Sequence, residues 1–369
     1  MLPDVFINIS KIVEQESKTS TYKFALLRGT IDLIQDNSPY IKVYDDRAYF
    51  PMSLLINKWI FYYYPLIKGP KEIPQINSQK GIAFEKELKK LIDIYEKRGG
   101  KSVLYNDIRT LEIYKIAAEP ILLLYKKLQN TISNMPMKYL GSAISQTEYS
   151  IFKYHPEKRS SKQKSQQDLL KGYGEFSIPR EYYDALQILG SFINGQDSIL
   201  AKWADFSFKS AKNRIKAKSS IISRLTDNPI TERNVNESKS YIKKILSQAG
   251  TIKCVWSGIS IRNNKYHIDH LLPFSIWRNN DLWNLLPTNS SVNIQKSDKI
   301  PSLIRLENSR TRIFEYWDIL FSSNEIRFTR EIEHALLGRP ISNGWKERAF
   351  DRLKSHSEFL IKYRGYEQW

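Results

Sequence analysis

Apolar residues recur at helical spacing through most of this 369-residue chain, and the pattern stops over one stretch, residues 251–302. Ahead of it, "TSTYKFALLRGTIDLIQD" sets Phe24, Leu27, Ile31 and Ile34 at helical intervals behind the polar capping residues Thr19 and Ser20. "GIAFEKELKKLIDIYEKRGG" repeats the pattern through Phe84, Leu88, Leu91 and Tyr95 and stops at Gly99-Gly100. "PMSLLINKWIFYYYPLI" predicts a helix ending at Pro65. The helical text that follows Gly100 is expected to reach about Asn130, with an interruption near Pro120. From Thr251 short β-like runs and turns take over, and after Pro301 helical spacing returns in "EIRFTREIEHALLGRP" and "GWKERAFDRLKSHSEFLIKYRG". Such a chain is expected to be mainly α, with one small α+β module set between helical regions.

Residues 1–155 read as an N-terminal helical domain, and 156–174, "PEKRSSKQKSQQDLLKGYG", as a basic, glycine-flanked linker or mobile loop. Residues 175–250 read as a basic helical middle region, 251–302 as the compact module, and 303–369 as a C-terminal helical region. A chain of this length has room for two or three domains.

Lysine and arginine outnumber aspartate and glutamate by 57 to 39, a formal charge of +18. An excess of that size predicts a polyphosphate partner, since basic side chains gain affinity by releasing counterions from a phosphate backbone. Lys212, Arg214 and Lys216 in "FKSAKNRIKAKSSIISRL" are candidate nucleic-acid contacts; a solvated face is the alternative. The single cysteine, Cys254, excludes an intrachain disulfide framework and any zinc site built on several thiolates. No run approaches the roughly 20 apolar residues of a membrane span. "MLPDVFINIS" lacks a basic leader, so a cytoplasmic location without membrane contact is expected.

Within the module, "YHIDHLLPF" puts two of the chain's five histidines, His267 and His270, around Asp269. An Asp-His pair alone is a weak signal, arising by chance in roughly one chain in three of this length. Its setting is more specific. Asp269-His270 closes a short β-like run, a loop with Pro273 and the turn "RNND" follows, and "LWNLLPT" offers a second strand beginning near Asn284. "NSSVNIQKSDK" then starts with capping residues and reads as a short helix, with Asn293 and Lys296 three apart on one face.

This order of residues resembles the HNH, or ββα-metal, endonuclease family, and "NIQKSDK" is similar to the same corner of the HNH domains in RNA-guided CRISPR nucleases. The resemblance spans residues 253–302 and rests on Asp269, His270, Asn284-Leu285, Asn293 and Lys296. It implies helical domains flanking a ββα-metal module that hydrolyses phosphodiester bonds and leaves a 5′-phosphate and a 3′-hydroxyl. Expelling an alkoxide from an anionic phosphorus requires positive charge where negative charge develops. A hard divalent ion held by few protein oxygens supplies it. The metal ligands so implied are Asp269 and Asn293, and the general base is His270. Asn284 would hold the loop and orient the histidine, and Lys296 would meet a phosphate.

The sequence departs from that family in two places. Asn293 stands where many relatives carry histidine, which shifts the site towards oxygen ligation and so to Mg²⁺ or Mn²⁺. Many relatives also brace the module with two Cys-x-x-Cys pairs around zinc. Here Ser257 replaces the partner of Cys254 and "PTNSSVN" has no pair, so no structural zinc is expected and packing by Trp256, Trp277 and Trp283 must serve. His267 shares a strand face with Asp269; it either reaches the metal's water or a phosphate, or hydrogen-bonds within the hairpin. Arg262, Lys265 and Arg278 flank the site as candidate backbone contacts or as plain surface. The whole reads as a metal-dependent endonuclease on double-stranded DNA, of the kind found in restriction or phage defence. Cutting both strands would take a homodimer or two successive nicks. The alternatives are a ribonuclease toxin, a vestigial nucleic-acid binder, and a defence-complex subunit silent until a partner or signal releases it.

Overall fold

Leu88, Leu91, Ile92 and Tyr95 recur on the helical period, and all four lie buried along the helix Glu85–Glu96. Each such side chain withdrawn from water is worth roughly 1.5–3 kcal/mol, so packing rather than propensity fixes these elements. The computed structural model describes all residues except 1, 15–18, 69–71, 78–80, 111, 142–149, 158–171, 194–198, 213, 231 and 263–264. The chain is mainly helical with small sheets, and it divides into two units, Met1–Pro229 and Ile230–Trp369.

In the first unit α1 (Leu2–Glu14), α2 (Tyr22–Gln35), α3 (Met52–Ile67), α4 (Glu85–Glu96), α5 (Lys101–Thr110), α6 (Lys115–Asn134) and α7 (Pro136–Tyr139) precede α8 (Arg180–Ile193), α9 (Ile199–Ser210) and α10 (Lys218–Leu225). A four-stranded antiparallel sheet runs among them in the order β1 (Lys42–Val43), β2 (Arg47–Pro51), β4 (Glu175–Pro179), β3 (Lys153–His155). β2 and β4 pair in the register Phe50↔Phe176, and those two rings stack at 4.9 Å. The boundaries expected at 155 and 174 therefore fall inside one unit, because β4 completes a sheet begun at residue 42. Residues 158–171 of the expected linker lie outside the described residues.

Two proline expectations are corrected. α3 runs past Pro65 to Ile67, since a proline so near the end removes little of the hydrogen-bond ladder. Pro120 does not interrupt α6, where the buried Ala117, Ile121, Leu124 and Leu128 hold the helix together across it. The tyrosines of "FYYYP" are buried. Tyr63 joins Thr21 and Gln75 in a network that Trp203 completes, its Nε1 donating to Gln75 Oε1 at 2.7 Å.

The second unit opens with α11 (Asn236–Ala249), closed by Gly250 at φ +71, a left-handed position that glycine takes without steric cost. The hairpin β5 (Ile252–Lys253) and β6 (Ser260–Ile261) follows. Then come β7 (His267–His270), the short α12 (Phe274–Trp277), a 3-10 turn at Leu282–Asn284, β8 (Leu285–Thr288) and α13 (Ser290–Lys296). β7 and β8 pair antiparallel from His267↔Thr288 to His270↔Leu285. Asn289 caps α13, its side chain accepting from Val292 N at 2.9 Å. Strand, strand and helix in this order are the arrangement expected of the module.

α14 (Leu303–Ser323), α15 (Glu325–Ile332), a π turn at Glu333–Leu337 and α16 (Trp345–Lys362) share one core with those strands. Residues 303–369 thus pack with the module rather than apart from it. Trp283 and Trp317 are fully buried, and Trp317 Nε1 donates to Trp283 O at 2.9 Å. Among the described residues, no helix is long and apolar enough to cross a membrane.

Candidate active site

β7 delivers Asp269 and His270 to its end, and a fully buried Asn284 fixes the chain beyond them. A carboxamide offers one donor and one acceptor group, as a peptide does. Asn284 uses both on one residue, accepting from Leu272 N at 2.8 Å and donating to Leu272 O at 3.0 Å. Its own carbonyl takes Leu271 N at 2.8 Å. Asn284 therefore holds the loop through backbone atoms and makes no hydrogen bond to the imidazole of His270.

Asp269, 6% exposed, is held from two sides. Trp256 Nε1 donates to its Oδ2 at 2.8 Å, and Lys296 Nζ lies 3.3 Å from Oδ1 and 3.2 Å from Oδ2. Lys296 also donates to the carbonyl of His270 at 2.7 Å. Its side chain is 0% exposed, so the phosphate contact expected of it is replaced by an internal ion pair. The reason is the short α13, which turns Lys296 inwards against β7. Burial pulls the ammonium below the ordinary lysine range, against the Asp269 carboxylate that holds it up.

His270 is 2% exposed. Burial, with the charges of Arg233 and Lys296 added to it, pulls the imidazole down to about 3. The ring is therefore neutral at physiological pH. Both ring nitrogens are enclosed, and among the described residues neither completes a hydrogen bond, although the Asn279 backbone and the Asn280 side chain lie close. Arg233, which nothing in the sequence singled out, donates to Ile268 O at 2.8 Å. It belongs to the segment before α11, far outside the motif. Asn280 ties that segment down, donating to Glu232 O at 3.1 Å and accepting from Asn234 N at 2.9 Å.

A buried acidic brace stands behind this loop. Glu331 accepts from Leu282 N at 2.7 Å and from Arg327 Nε at 2.6 Å, and Arg327 Nη2 reaches Asn280 O at 3.1 Å. In front, the turn after β5 is closed by polar contacts. Ser257 N lies 3.5 Å from Cys254 Sγ, Thr288 Oγ1 lies 3.4 Å from it, and Asn289 Nδ2 donates to Ser257 Oγ at 3.4 Å. Burial pushes the Cys254 thiol up, and hydrogen bonds from Ser257 and Thr288 more than reverse it.

Among the described residues, no three His, Cys, Asp or Glu side chains gather as a metal cage. The donor set that the resemblance implies is of another kind, one carboxylate and one carboxamide, a chemistry that would suit a small hard cation. A carboxylate offers about four lone-pair sites, so Asp269 keeps acceptor capacity beyond Trp256 and Lys296. Asn293, half-buried, sits on α13 one turn before Lys296, whose ammonium already reaches that carboxylate. His267 is exposed and bonds Ser290 Oγ at 2.9 Å. Arg262, Lys265 and Arg278 are exposed around the module, and Lys212, Arg214 and Lys216 are exposed between α9 and α10 of the first unit.

Residues 254–302, a span that contains Asp269, His270, Asn284 and Asn293, match the family model described as HNH endonuclease. That match implies a nuclease acting on nucleic acid, and HNH nucleases generally use a divalent metal. Residues 3–225 match a second model, described as a domain of unknown function, DUF8808. No curated protein matches the chain. The longer match covers more than half of the chain, so the protein belongs to the DUF8808 family and carries, C-terminal to that domain, a region similar to the HNH endonucleases.

Proposed function

We propose that the protein is a divalent-metal-dependent endonuclease that hydrolyses duplex DNA, with His270 as general base and Asp269 and Asn293 as the ligands of Mg²⁺ or Mn²⁺. The observation that carries this reading is a neutral, buried imidazole beside a carboxylate that is already compensated by positive charge. Bound there, the ion supplies charge neutralisation for the phosphate and its leaving oxygen. His270 takes a proton from water, the water oxygen attacks phosphorus, and the bond to the 3′ oxygen breaks; that oxygen takes up a proton from solvent, leaving a 5′-phosphate and a 3′-hydroxyl. An imidazole near pKa 3 is a weak base. An anionic phosphate beside it opposes Arg233 and Lys296 and raises its proton affinity. Asn284 and Lys296 position this pair, and neither touches the reacting atoms.

Restriction or anti-phage defence is the proposed role, supported by the net charge of +18 and by helices on both sides of the module. A gated enzyme, silent without a partner or signal, is favoured by one feature: both nitrogens of His270 are enclosed. Incubation with supercoiled plasmid, and separately with structured RNA, in Mg²⁺ tests the substrate. The proposal expects nicked or linear plasmid whose breaks DNA ligase reseals. Cleavage of RNA alone would move the activity to a ribonuclease toxin.

A further inference from the structure

With Lys296 fully buried and paired to Asp269, the site has lost the cation expected to meet the scissile phosphate. Phosphoryl chemistry in a site with one protein carboxylate needs such a donor. Arg233 is exposed, and no carboxylate pairs with it among the described residues. Its Nη2 is fixed at 2.8 Å on the carbonyl of Ile268, the residue before Asp269. Asn280 clasps the backbone on either side of it, at Glu232 O and Asn234 N.

We propose that Arg233 is the scissile-phosphate contact of this site, supplied from the segment before α11 and not from the HNH motif. The assignment rests on the nuclease reading above. A guanidinium presents five N–H donors in a planar fork that matches two phosphate oxygens. One of these donors is spent on Ile268 O, a neutral acceptor that an anionic phosphate outcompetes. Arg233 is also the most exposed of the side chains that act on or pack against His270.

The test compares wild type, Arg233→Ala and Arg233→Lys for cleavage of supercoiled plasmid in Mg²⁺. The His270→Ala and His270→Ala/Arg233→Ala proteins are compared for binding of a short fluorescent duplex across salt. Arg233→Ala is expected to cut about 100-fold more slowly, and Arg233→Lys to fall between, since a point charge lacks the fork. The slope of log K against log salt should drop by about one, the signature of one lost phosphate contact. Melting temperature should not change, because the side chain is exposed. Full-rate cutting by Arg233→Ala overturns the assignment. So does slow cutting with an unchanged salt slope and a lowered melting temperature, which marks a structural role. A wild-type protein that neither cuts plasmid nor binds the duplex brings down the nuclease reading and this assignment together; one that binds without cutting leaves the salt slope to decide the assignment, and a cutting wild type beside a full-rate variant removes the assignment alone.

Discussion

Lys296 and Asp269 form an ion pair at 3.2 Å in which the side chains are 0% and 8% exposed. The same ammonium holds the His270 carbonyl, so one buried cation orients both halves of the Asp-His dipeptide. Removing one partner of a buried pair leaves an uncompensated charge and typically costs about 3–5 kcal/mol. Lys296→Met is expected to lose stability in that range by urea unfolding. Mn²⁺ should then raise the melting temperature of the variant more than that of wild type, because the metal replaces the missing charge beside Asp269. Equal shifts in the two proteins would separate the metal site from Asp269.

Trp256 gives Asp269 its other hydrogen bond, at 2.8 Å, and its ring meets Trp369 edge-on at 5.2 Å. Trp256→Phe keeps most of the ring packing and deletes the donor. Partners that orient a metal ligand are worth about 10–100-fold in metal affinity or activity. A Mg²⁺ titration of cleavage rate should move to higher concentration by roughly tenfold or more. An unchanged titration would make Trp256 a packing residue only.

Asn284→Ala leaves Leu272 N and O without their side-chain partners inside the core. Each unsatisfied buried group costs about 1–3 kcal/mol, so a loss of about 2–4 kcal/mol in unfolding free energy is expected. A loss below about 1 kcal/mol would mean that the loop after His270 is fixed by other contacts.

His270 and His356 are each held down to about 3, by burial first and then by Arg233 and Arg352 respectively. An unfolded chain protonates histidine near pH 6.5. The unfolded state therefore binds more protons below that pH. Their effect on stability is flat above about pH 6.5 and becomes destabilising as the pH falls towards 3, at up to about 1.4 kcal/mol per unit for each group. Urea unfolding between about pH 7 and pH 4 should show this decline, and His356→Leu should flatten part of it. An unaltered slope in the variant would place the acid sensitivity elsewhere.

The sequence made the order of Asp269, His270, Asn284 and Asn293 legible because they fall in one short module with fixed spacing. Helices were readable where apolar residues kept a strict period, as at Leu88, Leu91, Ile92 and Tyr95. What each polar residue does with its atoms was not. Lys296 was expected to meet a phosphate, and its burial depends on where α13 packs. The Trp256–Asp269 bond, the Arg233 contact at Ile268 and the Glu331 brace join residues 13 to 49 positions apart, and periodicity carries no trace of such pairings. The proline expectations failed because tertiary packing outweighs a local breaker in α3 and α6. The pairing of β4 with β2 across more than a hundred residues left no trace in the sequence either.

The most direct test of the central claim is plasmid cleavage by wild type and His270→Ala, each in Mg²⁺, Mn²⁺ and EDTA, with folding checked by melting temperature. The account predicts nicked or linear DNA only when both the metal and His270 are present. Cutting that survives the loss of His270, or that continues in EDTA, would contradict it.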